Sequence, residues 1–268
     1  MKNSIACQVH ISNESHQGDG LGLEEKKKVV ELSLEHLRHQ NPDTYIAVSI
    51  RGESPSSKVL DFCDHVFISP LNTRTPAQYD SVHYAVDNCK SQGYDTILKL
   101  RADGIYGIKN FADYCDKIIE DEDKDLLVTQ MTANKDYKLG DCTIHGKTDT
   151  MSYLWSKFNP ERHWDGLVHL GMNLNVYYRS TLEWMALLRK HCAFRNISTL
   201  QWMDLRYNYS ALNSLGWENI REQLLNDDFD LEPYYWGRNN GWHKFENNKM
   251  VYSIEPYYLE EETFYENI

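Results

Sequence analysis

Short apolar runs alternate with amphipathic segments along the first half of the chain. Five runs are rich in aliphatic or aromatic residues and bounded by polar or turn-forming residues, which predicts buried strands. The predicted strands are Ser4–His10, Thr44–Ile50, His65–Ser69, Thr96–Leu100 and Leu126–Thr132. The segments between them repeat apolar residues with the period of a helix. The predicted helices are Leu23–His39, Ser57–Asp64, Pro76–Gln92 and Ile108–Asp121.

This alternation of strands and helices predicts the fold class. Strands that are separated by helices form βαβ units, in which the strands are parallel and the helices cover the sheet. We therefore expect an α/β protein, an αβα sandwich with a mainly parallel central sheet. Open sheets of this kind bind ligands at the carboxyl ends of their strands. Polar residues that directly follow a strand are accordingly the first candidates for function.

Beyond Ala133 the pattern is less regular. Periodicity predicts a strand over Met172–Tyr178 and several helices. These helices are Thr148–Lys157, Thr181–His191, Gln201–Leu215 and Glu218–Leu225. From Glu232 onward the chain is dense in Tyr and Trp. Their rings either stack on a sugar, as part of a segment that covers a bound acceptor, or pack against the hydrophobic core. We expect residues 1–180 to form the core and residues 181–268 to complete it as one compact unit.

Charge and composition exclude several classes of protein. The chain has 268 residues and a formal net charge of −12, which disfavours a general nucleic-acid or anionic-membrane binder. The six cysteines lie far apart and form no C-x-x-C pair, which favours reduced thiols over disulfides or a zinc site. No apolar run approaches the ~20 residues of a membrane span. The N-terminus is too polar for a secretory signal, so we expect a soluble, cytoplasmic protein.

Charged residues lie within and directly after the end of the fourth predicted strand, at Lys99, Arg101 and Asp103. Because they alternate, all three lie on one side if the strand continues through them, and Gly104 then permits a turn. Asp103 is a hard oxygen ligand of the kind that Mg²⁺ or Mn²⁺ takes together with phosphates. Lys99 and Arg101 can hold the phosphates, or Asp103 itself. The alternative interpretation is a salt bridge that fixes a loop.

A second charged stretch contains Asp141, His145 and Asp149, spaced four residues apart. Asp141 follows the last core strand, where a general base facing an acceptor would be needed. Asp149 is either a second candidate for that base or the cap of the helix that follows. His145 either helps to bind a diphosphate or move a proton, or is a hydrogen-bonded structural residue. Gly146 breaks the apolar run that starts at Cys142.

Several well-known motifs do not occur in the chain. There is no G-x-G-x-x-G after the first predicted strand and no G-x-x-x-x-G-K-[ST], which excludes dinucleotide-binding and P-loop proteins. G-x-S-x-G and H-E-x-x-H are also absent. The glycine-rich phosphate loop of nucleotidyltransferases is absent as well. The two charged stretches are therefore the main chemical signal.

Together these stretches resemble the WavE-type family of lipopolysaccharide-synthesis proteins. A lysine-x-arginine-x-aspartate strand end in that family is matched by Lys99, Arg101 and Asp103. Its downstream aspartate, glycine, aspartate-containing helix start and leucine-tryptophan pair are matched by Asp141, Gly146, Asp149, Leu154 and Trp155. The helix before the central strand is also similar, at Asn72, Arg74, Gln78 and Ser81. The resemblance covers roughly Ile46–Trp155.

The resemblance implies a GT-A type fold, that of nucleotide-diphospho-sugar transferases. It implies sugar transfer from a nucleotide-sugar donor to a glycan or lipid-linked glycan in surface polysaccharide or lipopolysaccharide synthesis. Residues 1–180 would bind the donor and residues 181–268 would complete the acceptor side. The expected donor-binding residues are Lys99, Arg101, Asp103, His145 and Arg74, with Mn²⁺ or Mg²⁺ on Asp103. The usual D-x-D is R-A-D here, so metal dependence stays open.

The expected mechanism assigns roles to these residues. A nucleoside diphosphate gains negative charge as it leaves, and a metal on Asp103, with Arg101 or Lys99, would stabilise it. Asp141, and after it Asp149, is expected to deprotonate the acceptor. Replacing Asp103 with alanine is then expected to abolish transfer with little effect on Tm. A lipid-linked acceptor would bring the enzyme to the inner membrane surface.

Two alternatives to this activity stay open. A non-catalytic relative of the same fold would bind a nucleotide or a glycan without turnover, and the R-A-D tripeptide is the feature that favours it. A nucleotidyltransferase would release pyrophosphate in place of a nucleoside diphosphate. The identity of the released product therefore separates these alternatives from sugar transfer.

Overall fold

A computed structural model gives the fold of the chain. It describes residues 1–12, 21–69, 76–129, 131–132, 138–139, 143–155, 191–195, 202–230, 242–246 and 249–253. The predicted strand Met172–Tyr178 lies outside the described residues, and so do nearly all of the predicted helix that starts at Thr181 and most of the aromatic tail. The division at residue 180 also falls outside them and stays a prediction.

The first half of the chain forms the predicted βαβ units. It contains β1 (Asn3–Ile11), α1 (Leu23–Gln40), β2 (Tyr45–Gly52), α2 (Val59–Phe62), β3 (His65–Ser69), α3 (Pro76–Ser91) and β4 (Thr96–Arg101). These are followed by β5 (Gly104–Tyr106), α4 (Phe111–Asp121) and β6 (Leu126–Thr129). The strands and helices predicted for this half are confirmed with two exceptions: α2 is much shorter than the predicted helix Ser57–Asp64, and the predicted strand Leu126–Thr132 divides into β6 and a separate short strand that begins at Met131 and pairs outside the main sheet. In this half, the apolar periodicity and the proline and glycine residues between segments indicate the same element boundaries. Local sequence is therefore sufficient to predict these strands and helices.

The second half is more varied than the sequence predicts. It contains β7 (Met131–Thr132), β8 (Lys138–Leu139), β9 (Ile144–Lys147), α5 (Thr148–Leu154), β10 (Cys192–Arg195), β11 (Trp202–Asp204), α6 (Leu205–Ser214), α7 (Trp217–Leu225), β12 (Trp242–Glu246) and β13 (Lys249–Ser253). The predicted helix Gln201–Leu215 is wrong at its start, where β11 pairs with β5 in antiparallel fashion. Asp204 caps α6, since its side chain accepts a hydrogen bond from the Arg206 amide at 2.9 Å.

Among the described residues, seven strands form one sheet in the order β10-β6-β9-β4-β1-β2-β3. Neighbouring strands are parallel except at β9, which runs antiparallel to both β4 and β6. Helices cover the sheet because its apolar faces must be buried: α1 and α4 share one core with β1, β2 and β4, while α3 contacts β1, β2 and α5. The predicted αβα sandwich with a mainly parallel sheet is confirmed.

Strand β9, like β10, is an element of this sheet that the sequence does not predict. Its four residues, Ile144–Lys147, are too few to show a period. Gly146 lies inside this strand and pairs with Ile97 of β4 and Leu126 of β6. The glycine therefore does not mark a break between elements, as the sequence suggests, but lies in the middle of the sheet.

The described residues contain five cysteines, all of them free. Burial raises the pKa of Cys63, Cys89 and Cys192 to about 12, so these thiols are unreactive at neutral pH. Across the part of the chain that the structure describes, no helix combines the length and the apolar character that a membrane span requires.

A polar cluster fixes the carboxyl end of α1. Gln40 Nε2 donates to Asp227 Oδ1 at 2.6 Å, and Lys109 Nζ donates to Asp227 Oδ2 at 2.6 Å. One turn earlier in α1, His36 is buried, with its Nε2 3.5 Å from Gln40 Nε2. Burial, with a smaller contribution from His39, lowers the pKa of His36 to about 4. His36 is therefore neutral at pH 7.

Acidification from pH 7 to about 4.5 is expected to remove about 2 kcal/mol of stability through His36. Its pKa is about 4 in the folded state and about 6.5 in an unfolded chain, so the unfolded state binds the proton first. The contribution of neutral His36 is complete above pH 6.5 and is lost progressively toward pH 4.

Urea unfolding of a His36→Gln variant at both pH values measures this loss. The variant should lose less stability on acidification than the wild type, because it no longer has the titrating group. His65→Gln, at an exposed position of β3 away from this cluster, should lose as much stability on acidification as the wild type does. An equal acid loss in His36→Gln and wild type would contradict the prediction.

Candidate functional site

The carboxyl ends of β1, β2 and β4 meet at one edge of the sheet. The strand register aligns Gln8 of β1 with Arg101 of β4, and His10 of β1 with Arg51 of β2. The Ala102 amide continues this pairing, since it donates to Gln8 O at 3.0 Å. The residues after β4 therefore lie beside the ends of other parallel strands, which is where open α/β sheets bind ligands.

Asp103, directly beyond β4, is held by two arginines. Arg101 donates from Nε to Asp103 Oδ1 at 2.9 Å and from Nη2 to Oδ2 at 2.7 Å. Arg206 Nε lies 3.1 Å from Asp103 Oδ2. Both carboxylate oxygens therefore contact a guanidinium group. Because the Asp103 side chain is 5% exposed, solvent ions screen these contacts much less than they would at the surface.

Arg206 reaches this edge from the C-terminal part of the described chain. Strand β11 aligns Asp204 with Gly104 of β5, and the Leu205 amide donates to Asp103 O at 3.0 Å. Arg206 also contacts Asp204, from Nε to Oδ1 at 3.2 Å and from Nη2 to Oδ2 at 2.7 Å. We refer to the four connected side chains as the Arg–Asp network: Arg101, Asp103, Asp204 and Arg206.

Burial and neighbouring charges shift the pKa values of the Arg–Asp network. Burial opposes ionisation of Asp103, but the nearby cations, first Arg101 and then Arg206, hold the pKa of Asp103 below its usual range. Burial raises the pKa of Asp204, and Arg206 offsets part of that rise. Burial also opposes the charged form of Arg206, yet its pKa is raised because Asp103 and Asp204 favour that form. Asp103 and Arg206 are therefore both charged at neutral pH.

Lys99 adds a further positive charge to this region. It lies two residues before Arg101 in β4, so both side chains project from the same side of the strand. Lys99 is fully buried, and its Nζ lies 5.3 Å from the ring centroid of Trp155, within the range of a cation–π interaction. Its charge helps to lower the pKa of Asp103. The structure therefore brings Lys99, Arg101 and Asp103 together, as the sequence predicts.

His145 is buried on another part of the sheet. Its Nε2 lies 2.7 Å from Asp116 Oδ1 of α4, and Asn3 Nδ2, at the start of β1, donates to Asp116 Oδ2 at 2.9 Å. Its Nδ1 is buried without a hydrogen-bond partner among the described residues. These contacts are those of a structural histidine, one of the two roles that the sequence leaves open. Its part in diphosphate binding stays a prediction.

Asp149 lies at the opposite edge of the sheet from the Arg–Asp network. It is in the first turn of α5, and Thr148 Oγ1 donates to Tyr94 O, before β4 begins, at 2.7 Å. The length of β4, about 17 Å, separates the two edges. The Asp149 side chain is 94% exposed and contacts Lys90 Nζ at 3.2 Å, and its role as a base stays a prediction. The other predicted site residues, Asp141 and Arg74, lie outside the described residues.

The described residues do not fit a metal ion at Asp103. Mg²⁺ and Mn²⁺ in nucleotide sites are held by one or two carboxylates together with substrate phosphates, so the state of the Asp103 carboxylate decides the fit; the described part of the chain has no larger group of three or more His, Cys, Asp or Glu side chains that could hold a metal ion. Both Asp103 oxygens contact guanidinium groups. A cation there would displace these contacts and face the charges of Arg101 and Arg206. The residues are better suited to an anion.

The sequence does not predict Asp204 or Arg206 as site residues. They lie far along the chain from Asp103, at the start of a segment whose periodicity indicates a helix. One local signal is present: in D-L-R at positions 204–206 the aspartate and the arginine stand in the opposite order to those of R-A-D at positions 101–103, with one apolar residue between them in both. In both tripeptides the aspartate and the arginine form a two-point contact. A motif of three residues is too short to indicate which other segment of the chain it will contact in the folded protein.

Comparison with known proteins gives similarity in structure but not in sequence. No family model matches the chain, and no curated protein matches it. A candidate nucleotide-diphospho-sugar transferase from Desulfovibrio desulfuricans G20 is 13% identical with a TM-score of 0.43, and the match covers 85% of this chain and 99% of that chain.

Two further solved structures show the same level of similarity. A candidate glucose-1-phosphate thymidylyltransferase from Bacillus anthracis is 10% identical with a TM-score of 0.47, covering 79% of this chain and 93% of that one. A glycosyltransferase involved in glycosylation of the major capsid of PBCV-1 is 13% identical with a TM-score of 0.41, covering 72% and 81%. These similarities concern the fold alone. The α/β, GT-A-like class rests on the strand order and directions of the sheet.

Proposed function

We propose that the chain is a glycosyltransferase that binds a nucleotide-sugar at the carboxyl edge of its sheet and transfers the sugar to a glycan acceptor. The observation that carries the proposal is the Arg–Asp network, in which buried carboxylates orient two arginines beside the end of the central strand. Guanidinium groups bind phosphates through paired, charge-assisted hydrogen bonds. In a chain of net charge −12, such a local group of cations suits a specific anionic ligand.

The proposed reaction breaks the bond between the anomeric carbon and the donor phosphate oxygen and forms a bond to an acceptor oxygen. The nucleoside diphosphate leaves with added negative charge, which Arg101 and Arg206 would stabilise electrostatically. The buried charge of Lys99 would contribute from behind them. The acceptor proton would pass to a carboxylate base, for which Asp141 is the proposed residue.

The proposed acceptor is a glycan or lipid-linked glycan of surface polysaccharide or lipopolysaccharide synthesis. This part of the proposal is supported by the resemblance of Lys99–Asp103 and of the stretch ending at Trp155 to the WavE-type family. A cytoplasmic enzyme that visits the inner membrane surface would reach such an acceptor. The acidic chain would then approach anionic lipid through its acceptor and not through a general basic surface.

A panel of nucleotide-sugars and glycan acceptors tests the proposed activity. We expect a nucleoside diphosphate to be released in step with glycosylated acceptor. Arg101→Ala should lower kcat/KM by about a hundredfold, because a charged, two-point contact contributes up to about 3 kcal/mol. Arg101→Lys, which keeps the charge but loses the planar fork, should lie between this variant and the wild type.

A matched control variant distinguishes the effect of removing a site arginine from the general effect of removing any paired arginine. Arg221 in α7 pairs with Glu35 of α1, with Nε donating to Oε2 at 2.6 Å, and Arg221→Ala should keep wild-type activity. Release of pyrophosphate would show nucleotidyl transfer instead. Donor binding without any turnover would show a non-catalytic binding protein.

A further inference from the structure

We propose that Arg101 and Arg206 hold the donor diphosphate without a bound divalent cation, and that Asp103 and Asp204 are positioning residues for these two guanidinium groups. The inference rests on the proposed function and specifies how the same site recognises its donor. It gives Asp103 a different role from the metal ligand that the sequence suggests.

The carboxylate of Asp103 is already engaged on both of its oxygens. Arg101 contacts Oδ1 at 2.9 Å and Oδ2 at 2.7 Å, and Arg206 contacts Oδ2 at 3.1 Å. A metal ion on either oxygen would therefore share it with, or take it from, a guanidinium group. Two-point contacts between arginine and carboxylate are among the stronger hydrogen-bonded pairs in proteins. These contacts hold the arginine side chains in place without a metal ion.

The charges of the described residues also favour an anion. Even with both aspartates ionised, the Arg–Asp network is no more negative than neutral, and Lys99, which helps to lower the pKa of Asp103, adds one positive charge. A divalent cation would add two positive charges to a region that is already positive. A diphosphate would instead bring negative charge to it. Because the side chains are largely buried, these interactions are only weakly screened by salt.

Exposure differs between the two kinds of side chain in the network. Arg101 is 18% exposed and Arg206 is 11% exposed, whereas Asp103 is 5% exposed and Asp204 is 0% exposed. A ligand that approaches from solvent therefore meets the guanidinium groups, with the carboxylates covered behind them. This order presents cations to the ligand and keeps the carboxylates in a supporting position.

Asp204 fixes Arg206 through three contacts. Its Oδ1 accepts from the Arg206 amide at 2.9 Å and from Nε at 3.2 Å, and its Oδ2 accepts from Nη2 at 2.7 Å. Backbone and side chain of Arg206 are thus held by one carboxylate, which also caps α6. Holding a long side chain in place before the ligand arrives lowers the entropy cost of binding. Arg206 is thereby prepared for a phosphate.

Calorimetric titration of nucleoside diphosphates tests the proposal. UDP, GDP, ADP, CDP and TDP are each titrated into wild-type protein, once with EDTA and once with excess Mn²⁺. We expect one or more of them to bind with values of Kd that differ by less than about twofold between the two conditions. Arg206→Ala should weaken binding at least about tenfold in EDTA, and Arg206→Lys should recover part of the loss. Arg221→Ala should bind as the wild type does.

Asp103→Asn distinguishes a positioning residue from a metal ligand. The variant keeps the shape of the side chain, and its folding is checked first by its thermal transition. We expect it to weaken diphosphate binding by the same factor with EDTA and with Mn²⁺. Wild-type binding that tightens about tenfold or more with Mn²⁺, with this response lost in Asp103→Asn, would overturn the proposal and make Asp103 a metal ligand.

The remaining outcomes are also decisive. Unchanged diphosphate binding by Arg206→Ala would overturn the role of Arg206 and leave the proposed function standing. If the wild type binds no nucleoside diphosphate and no nucleotide-sugar in either condition, the proposed function itself fails, and the inference fails with it.

Discussion

Replacing Asp103 with alanine is expected to lower the free energy of unfolding by about 3–5 kcal/mol, the usual cost of breaking a buried ion pair. Asp103 is buried, and its removal would leave Arg101 and Arg206 close together without the carboxylate between them. In a chain of this size, each kcal/mol corresponds to about 2–4 °C in Tm. A fall of about 10 °C is therefore expected, whereas the sequence alone predicts little change.

Thermal unfolding of three variants measures this effect. Asp103→Asn keeps the shape and one acceptor oxygen, so its loss should be intermediate. Asp149→Ala is the control, because that carboxylate is 94% exposed and contacts Lys90 at the surface; its change should stay below about 1 kcal/mol. A wild-type Tm in Asp103→Ala would contradict the buried pairing and return Asp103 to the role of an accessible ligand.

Gly146→Ala is expected to destabilise the protein by about 3 kcal/mol, at the upper end of the usual cost of overpacking. A Cβ at position 146 would lie 2.5 Å from Leu126 Cδ2 and 2.6 Å from Asp125 O. The Leu126 side chain can move, but Asp125 O accepts a hydrogen bond from the Lys147 amide at 3.0 Å. Relief of the clash would therefore open the pairing between β6 and β9.

Urea unfolding compares this variant with Gly22→Ala. A Cβ at Gly22 would meet Glu25 Oε2 at 3.6 Å, which is an ordinary contact, and Gly22 precedes α1, where alanine costs at most about 1 kcal/mol. We expect the loss in Gly146→Ala to be clearly the larger of the two. Equal losses would show that β6 and β9 do not approach as closely as the structure has them.

The parts of the fold that the sequence predicts are those fixed by local pattern. Strands β1 to β4 and helices α1, α3 and α4 each contain enough residues to show a period of two or of 3.6, bounded by proline, glycine or polar residues. Strands β9 and β11 have four and three residues. Their pairing depends on partners that are distant in the chain, and no local period reveals it.

The residues of the candidate site likewise fall into those that local sequence predicts and those that it does not. Lys99, Arg101 and Asp103 lie within one strand and the turn that follows, so spacing alone places them together. Asp149 follows β9, whose antiparallel direction returns the chain to the amino-terminal edge of the parallel strands. Strand direction cannot be read from local sequence, so spacing could not show that Asp149 lies far from Asp103. Arg206 reaches the site through tertiary contacts.

The late position of β10 and Arg206 in the chain has a consequence for synthesis. While the ribosome is still adding the residues before 192, strand β6 lacks its parallel neighbour β10, and Asp103 lacks Arg206. A nascent chain at this stage has an open strand edge, the kind of surface through which chains aggregate. The first βαβ units can fold early, but the Arg–Asp network cannot form until the segment from 192 to 206 has been made. Translation past this segment would thus both close the sheet and complete the site.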